Sequence, residues 1–284
     1  MKANNPEQQD GLADLINRAL EEDIGTGDVT TNSIIGKQKK ARAVWVAKQN
    51  GVVSGLNIAE KVYRRLDEKI SWKPKVDNGD FVENGQILVE FEGNGQAILS
   101  AERVALNFAQ RMSGIATKTA MMAEVLEGYP TKILDTRKTV PGLRQLDKIA
   151  VKTGGGYNHR MGLHDMAMVK ENHIRLAGGI KNAVDNIRDL YPNVKIEVET
   201  TNLSEVDEAL NAGADMIMLD NMNTETMRKA VEKINKRAMV EASGNMNTAR
   251  LREVAETGVD FISVGALTHS VEAFDISQQI TKII

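Results

Sequence analysis

Short apolar stretches alternate with amphipathic helical stretches through the second half of the chain. Four segments have the length and apolar content of buried strands: Val194–Glu199, Met216–Asp220, Ala238–Ala242 and Phe261–Val264. The helical patterns between them are Leu203–Ala212, Glu225–Asn235 and Thr248–Thr257. Strand starts recur about every 22 residues, and a connection of that length that contains a helix joins parallel strands.

Two earlier segments, Lys132–Asp135 and Met166–Lys170, have the same strand character. They bring the count to six strands after about residue 115, with a seventh left open. This pattern predicts an α/β fold built on a (β/α) barrel, complete or incomplete, in preference to a doubly wound sheet. No Gly-x-Gly-x-x-Gly follows a strand, which argues against a dinucleotide-binding domain.

Residues 1–115 have a different pattern, which predicts a separate and smaller α+β domain. The predicted elements are a helix at Leu12–Leu20, strands at Ala41–Lys48, Ser71–Val76 and Ile87–Glu92, and a turn at Asp77–Asp80. Ser100 is predicted to cap a long helix that runs to about Leu126, with Glu102 in its first turn, where the helix dipole favours an anion.

Composition excludes several classes of protein. The chain has no Cys, which excludes disulfides, thiolate metal sites and Cys nucleophiles. No apolar run approaches the ~20 residues that span a bilayer, and the polar N-terminus lacks the apolar segment of a signal peptide. With 39 acidic against 36 basic residues and 4% aromatics, the chain is not typical of nucleic-acid-binding proteins. We therefore expect a cytoplasmic protein without a membrane or nucleic-acid partner.

A basic cluster at residues 135–173 stands out against this acidic background. It holds seven Lys or Arg, three of the four His and five Gly. A local concentration of positive charge in an acidic chain predicts a pocket for a small, highly anionic ligand. Within it, Arg137 and Lys138 follow a predicted strand, and His159 and Arg160 follow three consecutive Gly. Each cation alone could be a solvated surface charge, but several at strand ends favour a binding site.

Carboxylates and small polar residues follow the later strands. Glu199 and Asp220 close consecutive strands and suit Mg²⁺; the alternatives are an ion pair at the barrel rim, or a helix N-cap in the case of Asp220. Ser243–Asn245 and Val264–Ala266 follow the last two strands, where many barrels bind a phosphate. The His residues lack a zinc-ligand spacing, so we favour hydrogen-bonding roles for them.

These motifs resemble those of the quinolinate phosphoribosyltransferase family, the carboxylating nicotinate-nucleotide diphosphorylases. The matching segments run in one order over nearly the whole chain: Glu22–Thr30, Glu102–Asn107, Asp135–Thr139, Pro141–Arg144, Gly154–Arg160, Lys170–His173, Glu197–Glu199, Met218–Asn221, Glu241–Gly244 and Ser263–Leu267. One departure is Asn245, where many members carry a second Gly.

The resemblance implies both a fold and a reaction. The fold is an N-terminal α/β sandwich at residues 1–115 and an irregular, open barrel at residues 116–267, with residues 268–284 returning to the first domain. In the reaction, quinolinate and phosphoribosyl pyrophosphate give nicotinate mononucleotide, pyrophosphate and CO₂, with Mg²⁺, in de novo NAD synthesis. A homodimer with shared active sites is also implied, and assembly beyond a dimer is left open.

Roles for individual residues follow from the same resemblance. Arg137, His159, Arg160 and Lys170 would bind the quinolinate carboxylates. Thr136 would bind substrate. Lys138 would contact phosphoribosyl pyrophosphate, and Glu199 and Asp220 would contact its ribose and Mg²⁺, so that Lys138, Glu199 and Asp220 take part in catalysis. Ser243, Gly244 and Asn245, with Val264, Gly265 and Ala266, would hold the 5′-phosphate. Arg103 would reach into the site of the partner subunit.

Three other functions are consistent with parts of the sequence. A transferase of the same fold could use a different acceptor, although the cationic set suits two adjacent carboxylates. A Schiff-base aldolase would use Lys170 as its imine lysine, which requires a desolvated amine. The Gly-containing β pattern of Val76–Glu92 is similar to that of a biotinyl or lipoyl carrier, but its turn has no Met-Lys-Met-like lysine.

Overall fold

The computed structural model describes residues 6–284, with side chains from Gly11 onward. Contacts divide the chain into two units: one runs as far as Thr117 and includes Glu272–Ile284, and the other spans Lys118–Val271.

The elements follow one another with short connections. In chain order they are α1 (Pro6–Ile24), α2 (Val29–Ile34), β1 (Lys40–Ala47), β2 (Gly51–Val52), α3 (Leu56–Leu66), β3 (Ser71–Pro74), β4 (Phe81–Val82), β5 (Ile87–Asn94), α4 (Gly95–Val125), β6 (Lys132–Leu134), α5 (Arg144–Thr153), β7 (Ala167–Val169), α6 (Glu171–Ala177), α7 (Ile180–Leu190), β8 (Ile196–Thr200), α8 (Leu203–Asn211), β9 (Met216–Asp220), α9 (Thr224–Ile234), β10 (Met239–Ser243), α10 (Thr248–Ala255), β11 (Phe261–Ser263), α11 (Ala266–His269) and β12 (Ile276–Ile283).

The first unit is built on a four-stranded antiparallel sheet in the order β12-β1-β5-β3. An aromatic cluster lies in its core. Trp45 and Phe91 come from neighbouring strands of the sheet, and Tyr63 comes from α3, with ring centroids of Tyr63 and Phe91 4.9 Å apart. All three are buried, so apolar burial, the main driving force of folding, holds this unit together.

The long helix α4 begins earlier than the sequence predicted. Ser100 does not cap it: the helix starts at Gly95, and the Asn94 side chain accepts a hydrogen bond from the Ala97 backbone N–H at 3.1 Å. Asn94 therefore acts as the N-terminal cap. Ser100 lies inside the helix, where its hydroxyl donates to Asp28 at 2.9 Å, and Glu102 lies beyond the first turn.

The second unit contains a six-stranded parallel sheet in the order β7-β8-β9-β10-β11-β6. On the free side of β6, Leu134 forms a single parallel bridge with Tyr157. Tyr157 thus takes the place of the seventh strand, and among the described residues no strand pairing joins it to β7. The sheet is a barrel that stays open at this point, which confirms the predicted α/β fold.

The predicted strands and helices of this unit agree with the structure to within two residues at each end, the usual scatter of element boundaries. None of the helices in the described part of the chain is long and apolar enough to cross a membrane.

Candidate active site

A cavity of about 450 Å³ opens at the carboxyl ends of the barrel strands. Eleven of the residues singled out by the sequence line it: Thr136, Arg137, Lys138, His159, Arg160, Lys170, Glu199, Asp220, Ser243, Gly244 and Asn245. They converge because parallel strands end at the same edge of the barrel.

The remaining candidates lie elsewhere. Gly265 and Ala266 line an adjoining cavity of about 370 Å³, which shares Thr136, Lys138 and Ser243–Asn245 with the first. Val264 is buried beside them. Arg103 lies on α4 in the first unit with its side chain exposed.

Two guanidinium groups form the positively charged side of the cavity. The Nε atoms of Arg137 and Arg160 are buried and find no hydrogen-bond partner among the described residues. Arg160 also donates to the carbonyl of Met166 at 3.0 Å. Burial and the nearby charge of Arg137 lower the pKa of Arg160. Two close cations with unpaired donors are costly unless an anion lies between them, so this side is suited to an anionic ligand.

Lys170 and Glu199 lie together at the ends of neighbouring strands. Lys170 follows β7 and forms an ion pair with Glu199 of β8. The Lys170 side chain is about half exposed, which differs from the desolvated amine that a Schiff-base lysine requires. The ion pair at the barrel rim, one of the alternatives for Glu199, is therefore present.

The floor of the cavity is a cluster of buried acid groups around His159. Its Nε2 lies 2.9 Å from Glu197 and 3.2 Å from Glu241, and both carboxylates are fully buried. Ser263 donates to the other oxygen of Glu241 at 2.5 Å. The backbone nitrogen of Arg160 lies 2.7 Å from Nδ1. Both ring nitrogens thus have close contacts within the protein, and His159 also lines the cavity.

Charge and burial oppose each other in this cluster. Burial alone lowers the pKa of His159, but hydrogen bonds and charge from Glu197 and Glu241 outweigh it and raise the pKa to about 9. Burial and the charge of Glu241 raise the pKa of Glu197 to about 7. The three side chains bring their ligand atoms within 4.8 Å of one another. The 2.9 Å contact between Nε2 of His159 and Glu197 is a hydrogen-bond distance, so these two side chains are paired with each other.

Sequence reasoning gave neither Glu197 nor Glu241 a role in the site, although both lie in segments that match the family. Both lie inside strands rather than after them. A signal was nevertheless present, because a parallel strand is normally apolar on both faces. Glu197 and Glu199 alternate with Ile196 and Val198 along β8, which marks one face of that strand as facing a polar interior.

Asp220 does not cap the helix that follows it. Asn223 is the N-terminal cap of α9 and accepts from the Thr226 N–H at 2.8 Å. Asp220 instead faces the cavity with Glu199, and one of its oxygens accepts from the Asn221 side chain at 2.8 Å. The two carboxylates line the same wall, and oxygen donors of this kind match the preference of Mg²⁺.

The loop after β10 requires glycine at one position. Gly244 has φ +98, and a Cβ there would lie 2.2 Å from the Asn221 side-chain oxygen. Asn245 follows with φ +51, in the left-handed region that Asn tolerates better than most residues. The departure from the family pattern at Asn245 thus preserves the backbone conformation. Lys138 passes within 3.1 Å of where a Gly265 Cβ would be, so that glycine leaves room for the lysine.

Comparison with known proteins gives a consistent result. The family model described as "Quinolinate phosphoribosyl transferase, C-terminal domain" matches residues 115–279, and the corresponding N-terminal domain model matches residues 28–113.

A probable nicotinate-nucleotide pyrophosphorylase [carboxylating] of Synechocystis is 45% identical over 93% of this chain and 90% of its own length. A protein of the same name from Bacillus subtilis is 44% identical over 95% and 93%. Among solved structures, NadC from Streptococcus pyogenes superposes with a TM-score of 0.93 at 36% identity, covering 100% of this chain and 99% of that one.

Proposed function

The chain belongs to the quinolinate phosphoribosyl transferase family, and from this premise we propose how its barrel cavity performs the reaction. The enzyme transfers a phosphoribosyl group from phosphoribosyl pyrophosphate to quinolinate in NAD biosynthesis. Nicotinate mononucleotide, pyrophosphate and CO₂ are the products.

The acceptor site is assigned from the paired guanidiniums of Arg137 and Arg160. Arg137 and Arg160 line the cavity, and the Nε of each is buried without a hydrogen-bond partner among the described residues; quinolinate has two adjacent carboxylates. A guanidinium binds a carboxylate through two parallel hydrogen bonds, so two guanidiniums match two carboxylates. Lys170 would exchange its contact with Glu199 for the substrate. His159, whose ring nitrogens are engaged, would contribute positive charge to the floor.

The second substrate would occupy the other half of the cavity. Lys138 would meet the pyrophosphate, with Thr136 beside it. Ser243–Asn245 and the adjoining Val264–Ala266 would hold the 5′-phosphate. Glu199 and Asp220 would accept hydrogen bonds from the ribose hydroxyls. This arrangement would aim the pyridine nitrogen at the anomeric carbon, and such alignment supplies much of the rate of a two-substrate reaction.

Bond formation and bond breakage follow from that alignment. The pyridine nitrogen attacks the anomeric carbon as the bond to pyrophosphate breaks through an oxocarbenium-like state. The new ring cation then stabilises the electron pair left at C2 when CO₂ departs, and a proton is taken up at C2. The cations of the cavity stabilise charge without forming a covalent intermediate.

We also propose that Glu199 and Asp220 hold Mg²⁺. When bound there, the ion would neutralise charge on the departing pyrophosphate. Activity should then vanish in EDTA and return when Mg²⁺ is added. Asp220→Asn should depress turnover and leave quinolinate binding nearly unchanged. Full activity without metal would leave both carboxylates with structural roles only.

We propose a homodimer with shared sites, in which the exposed Arg103 of each subunit reaches the cavity of its partner. If this side chain completes the partner's site, Arg103→Ala and Lys138→Ala should each be nearly inactive alone. After subunit exchange, a mixture should regain up to about one quarter of wild-type activity, because half the dimers are hybrids with one intact site. Full activity of Arg103→Ala would instead show that Arg103 is a surface residue with no part in the site. Assembly beyond a dimer and a cytoplasmic location stay predictions.

The test of the proposed site is the choice of acceptor. Purified enzyme should release CO₂ and pyrophosphate from quinolinate with phosphoribosyl pyrophosphate, and should nearly ignore nicotinate, which has one carboxylate. Equal turnover of nicotinate would contradict the assignment of two guanidiniums to two carboxylates.

A further inference from the structure

Helix α5 lies behind the two loops that carry the paired guanidiniums. One loop follows β6 and contains Arg137; the other follows Tyr157 and contains Arg160. Two cations one helical turn apart, Arg144 and Lys148, reach from α5 to both loops.

Lys148 is the inner of these two cations. It forms an ion pair with Asp135, and both side chains are almost completely buried. Lys148 also donates to the His159 carbonyl at 3.0 Å, while Asp135 accepts from the His159 backbone N–H at 2.9 Å. Asn158 donates to Asp135 and, at 2.9 Å, to the Lys148 carbonyl. The peptide groups on both sides of His159 are therefore fixed to β6 and α5.

Arg144 makes the corresponding contacts nearer the surface. Its guanidinium donates to the Met161 carbonyl at 3.2 Å, to the Arg137 carbonyl at 3.4 Å and to the Thr139 hydroxyl at 3.1 Å. One planar group thus spans the loop of Arg137 and the loop of Arg160. Such a fork can hold several acceptors at a fixed separation, which a lysine cannot.

Stability alone does not require charged residues at these positions. Burial raises the pKa of Asp135 and lowers that of Lys148, which reflects the cost of desolvating both charges. A buried ion pair is often no more stabilising than apolar residues of the same size. Its hydrogen bonds to His159, the residue before Arg160, and the place of its acidic residue two positions before Arg137 point to a role in the placement of both arginines.

On the basis of the proposed function, we propose that Arg144, Lys148 and Asp135 are positioning residues: they set the separation of the Arg137 and Arg160 guanidiniums, and with it the preference for two adjacent carboxylates over one. None of the three needs to touch the substrate. Acceptor selectivity would then depend on α5 as well as on the cations that line the cavity.

The test uses Arg144→Lys, which keeps the charge and removes the fork. Benzene-1,2-dicarboxylate and benzoate serve as unreactive probes, with inhibition constants measured on the full-length enzyme. We expect Arg144→Lys to weaken the dicarboxylate at least about tenfold, since misplacement of a binding group by about 1 Å has effects of this size or larger. Benzoate, and KM for phosphoribosyl pyrophosphate, should change less than about threefold.

Arg188→Lys is the matched control. Arg188 of α7 also bridges loops, through the Val194 and Gly213 carbonyls and Asp215, but at the amino ends of the strands, away from the cavity. It should leave both inhibition constants unchanged. The paired substitution Asp135→Asn with Lys148→Met should lose more dicarboxylate affinity than Arg144→Lys; if it does not fold, Arg144→Lys decides alone.

Two results would overturn the inference. One is an unchanged preference for the dicarboxylate in folded Arg144→Lys. The other is an equal loss for both probes and for phosphoribosyl pyrophosphate, which would indicate a general structural role. A wild-type enzyme that does not prefer the dicarboxylate would contradict the proposed function itself, before any variant is made.

Discussion

The interiors of the two units are filled in different ways. Around Phe91 the first unit buries aromatic rings in edge-to-face and tilted contacts. Behind the mouth of the barrel, the second unit buries Asp135, Lys148, Glu197 and Glu241. The rings stabilise the fold by leaving water. The charged side chains lose their hydration on burial, and only ion pairs and hydrogen bonds with their partners offset that loss. Buried charged groups with their partners therefore mark the end of the barrel that contains the candidate site.

The largest expected effect is a loss of stability when an aromatic ring is removed from the interior of the first unit. Phe91→Ala should reduce the free energy of unfolding by about 3–5 kcal/mol, because it leaves a cavity among packed rings. Urea unfolding measures this, and kcat/KM per folded molecule should stay near wild type. Phe81→Ala is the control, since Phe81 is 65% exposed. A cost below about 1 kcal/mol would mean that the aromatic cluster is not the main support of its unit.

Arg160→Ala should have the opposite signature. We expect kcat/KM for quinolinate to fall by about 2–5 kcal/mol of transition-state binding, the usual loss for one partner of a buried charge pair. Unfolding should change by less than about 1 kcal/mol, because the substitution also relieves repulsion from Arg137. Steady-state kinetics and thermal unfolding report the two quantities. Arg175→Ala, at an exposed position of α6, controls for loss of a surface charge; a fall in stability without a fall in kcat/KM would reverse the assignment.

The acid cluster predicts a pH dependence of stability. The pKa of His159 rises from 6.5 to about 9 on folding, so its contribution is complete below about pH 6.5 and is lost as the pH rises through 9. The pKa of Glu197, raised from 4.5 to about 7, adds a decrease of the same sign that falls mainly below pH 7. We expect the free energy of unfolding to fall by about 1–3 kcal/mol between pH 6.5 and 9.

Glu241→Gln is the informative variant for that pH dependence. It removes one carboxylate from His159 and should flatten the decrease, as measured by urea unfolding at a series of pH values. An equally steep decrease in this variant would show that the slope arises outside the cluster.

The smallest effect is expected at Asn245. Asn245→Gly should change both stability and kcat/KM by no more than about 0.5 kcal/mol, because the backbone already has the left-handed conformation that glycine adopts freely. The neighbouring Gly244→Ala should be far more harmful, since its Cβ would lie 2.2 Å from the Asn221 oxygen. Phosphoribosyl pyrophosphate KM and unfolding midpoints of both variants test this pair. Similar effects of the two substitutions would contradict the steric argument.

The repeating part of the barrel was predictable because its strands differ clearly from its helices. β9 was predicted with its observed bounds, Met216–Asp220, since an apolar run ends there in a carboxylate. The seventh strand was left open for a physical reason: at Tyr157 it is reduced to one bridge, which is too short to leave a periodic signal.

The predicted start of α4 at Ser100 was wrong because two capping residues lie close together in the sequence. Ser100 is a good capping residue, but Asn94 is at least as good and precedes it. The choice between them depended on where β5 ends, and a one-dimensional pattern does not contain that information.

The candidate site was predictable at its rim and not at its floor. Strand ends identify residues such as Lys138, Glu199 and Asp220, because the barrel brings all those ends together. Glu197 and Glu241 lie deeper, within strands, and Arg144 and Lys148 act from a helix behind the loops. Their functions depend on distances between segments far apart in the chain, which no single motif encodes.

The order of strands in the two sheets has a consequence for the order of folding. β6 pairs with β11, and β1 pairs with β12, so each sheet joins an early strand to a late one. Contacts this distant in sequence form slowly, because a long loop must close first. During synthesis, β7 to β10 can pair in succession as they appear. β6, which precedes the loop of Arg137, gains its strand partner on that edge only when β11 arrives. The binding site is therefore among the last parts of the molecule to be completed, because one edge of β1 and one edge of β6 stay unpaired until β12 and β11 arrive.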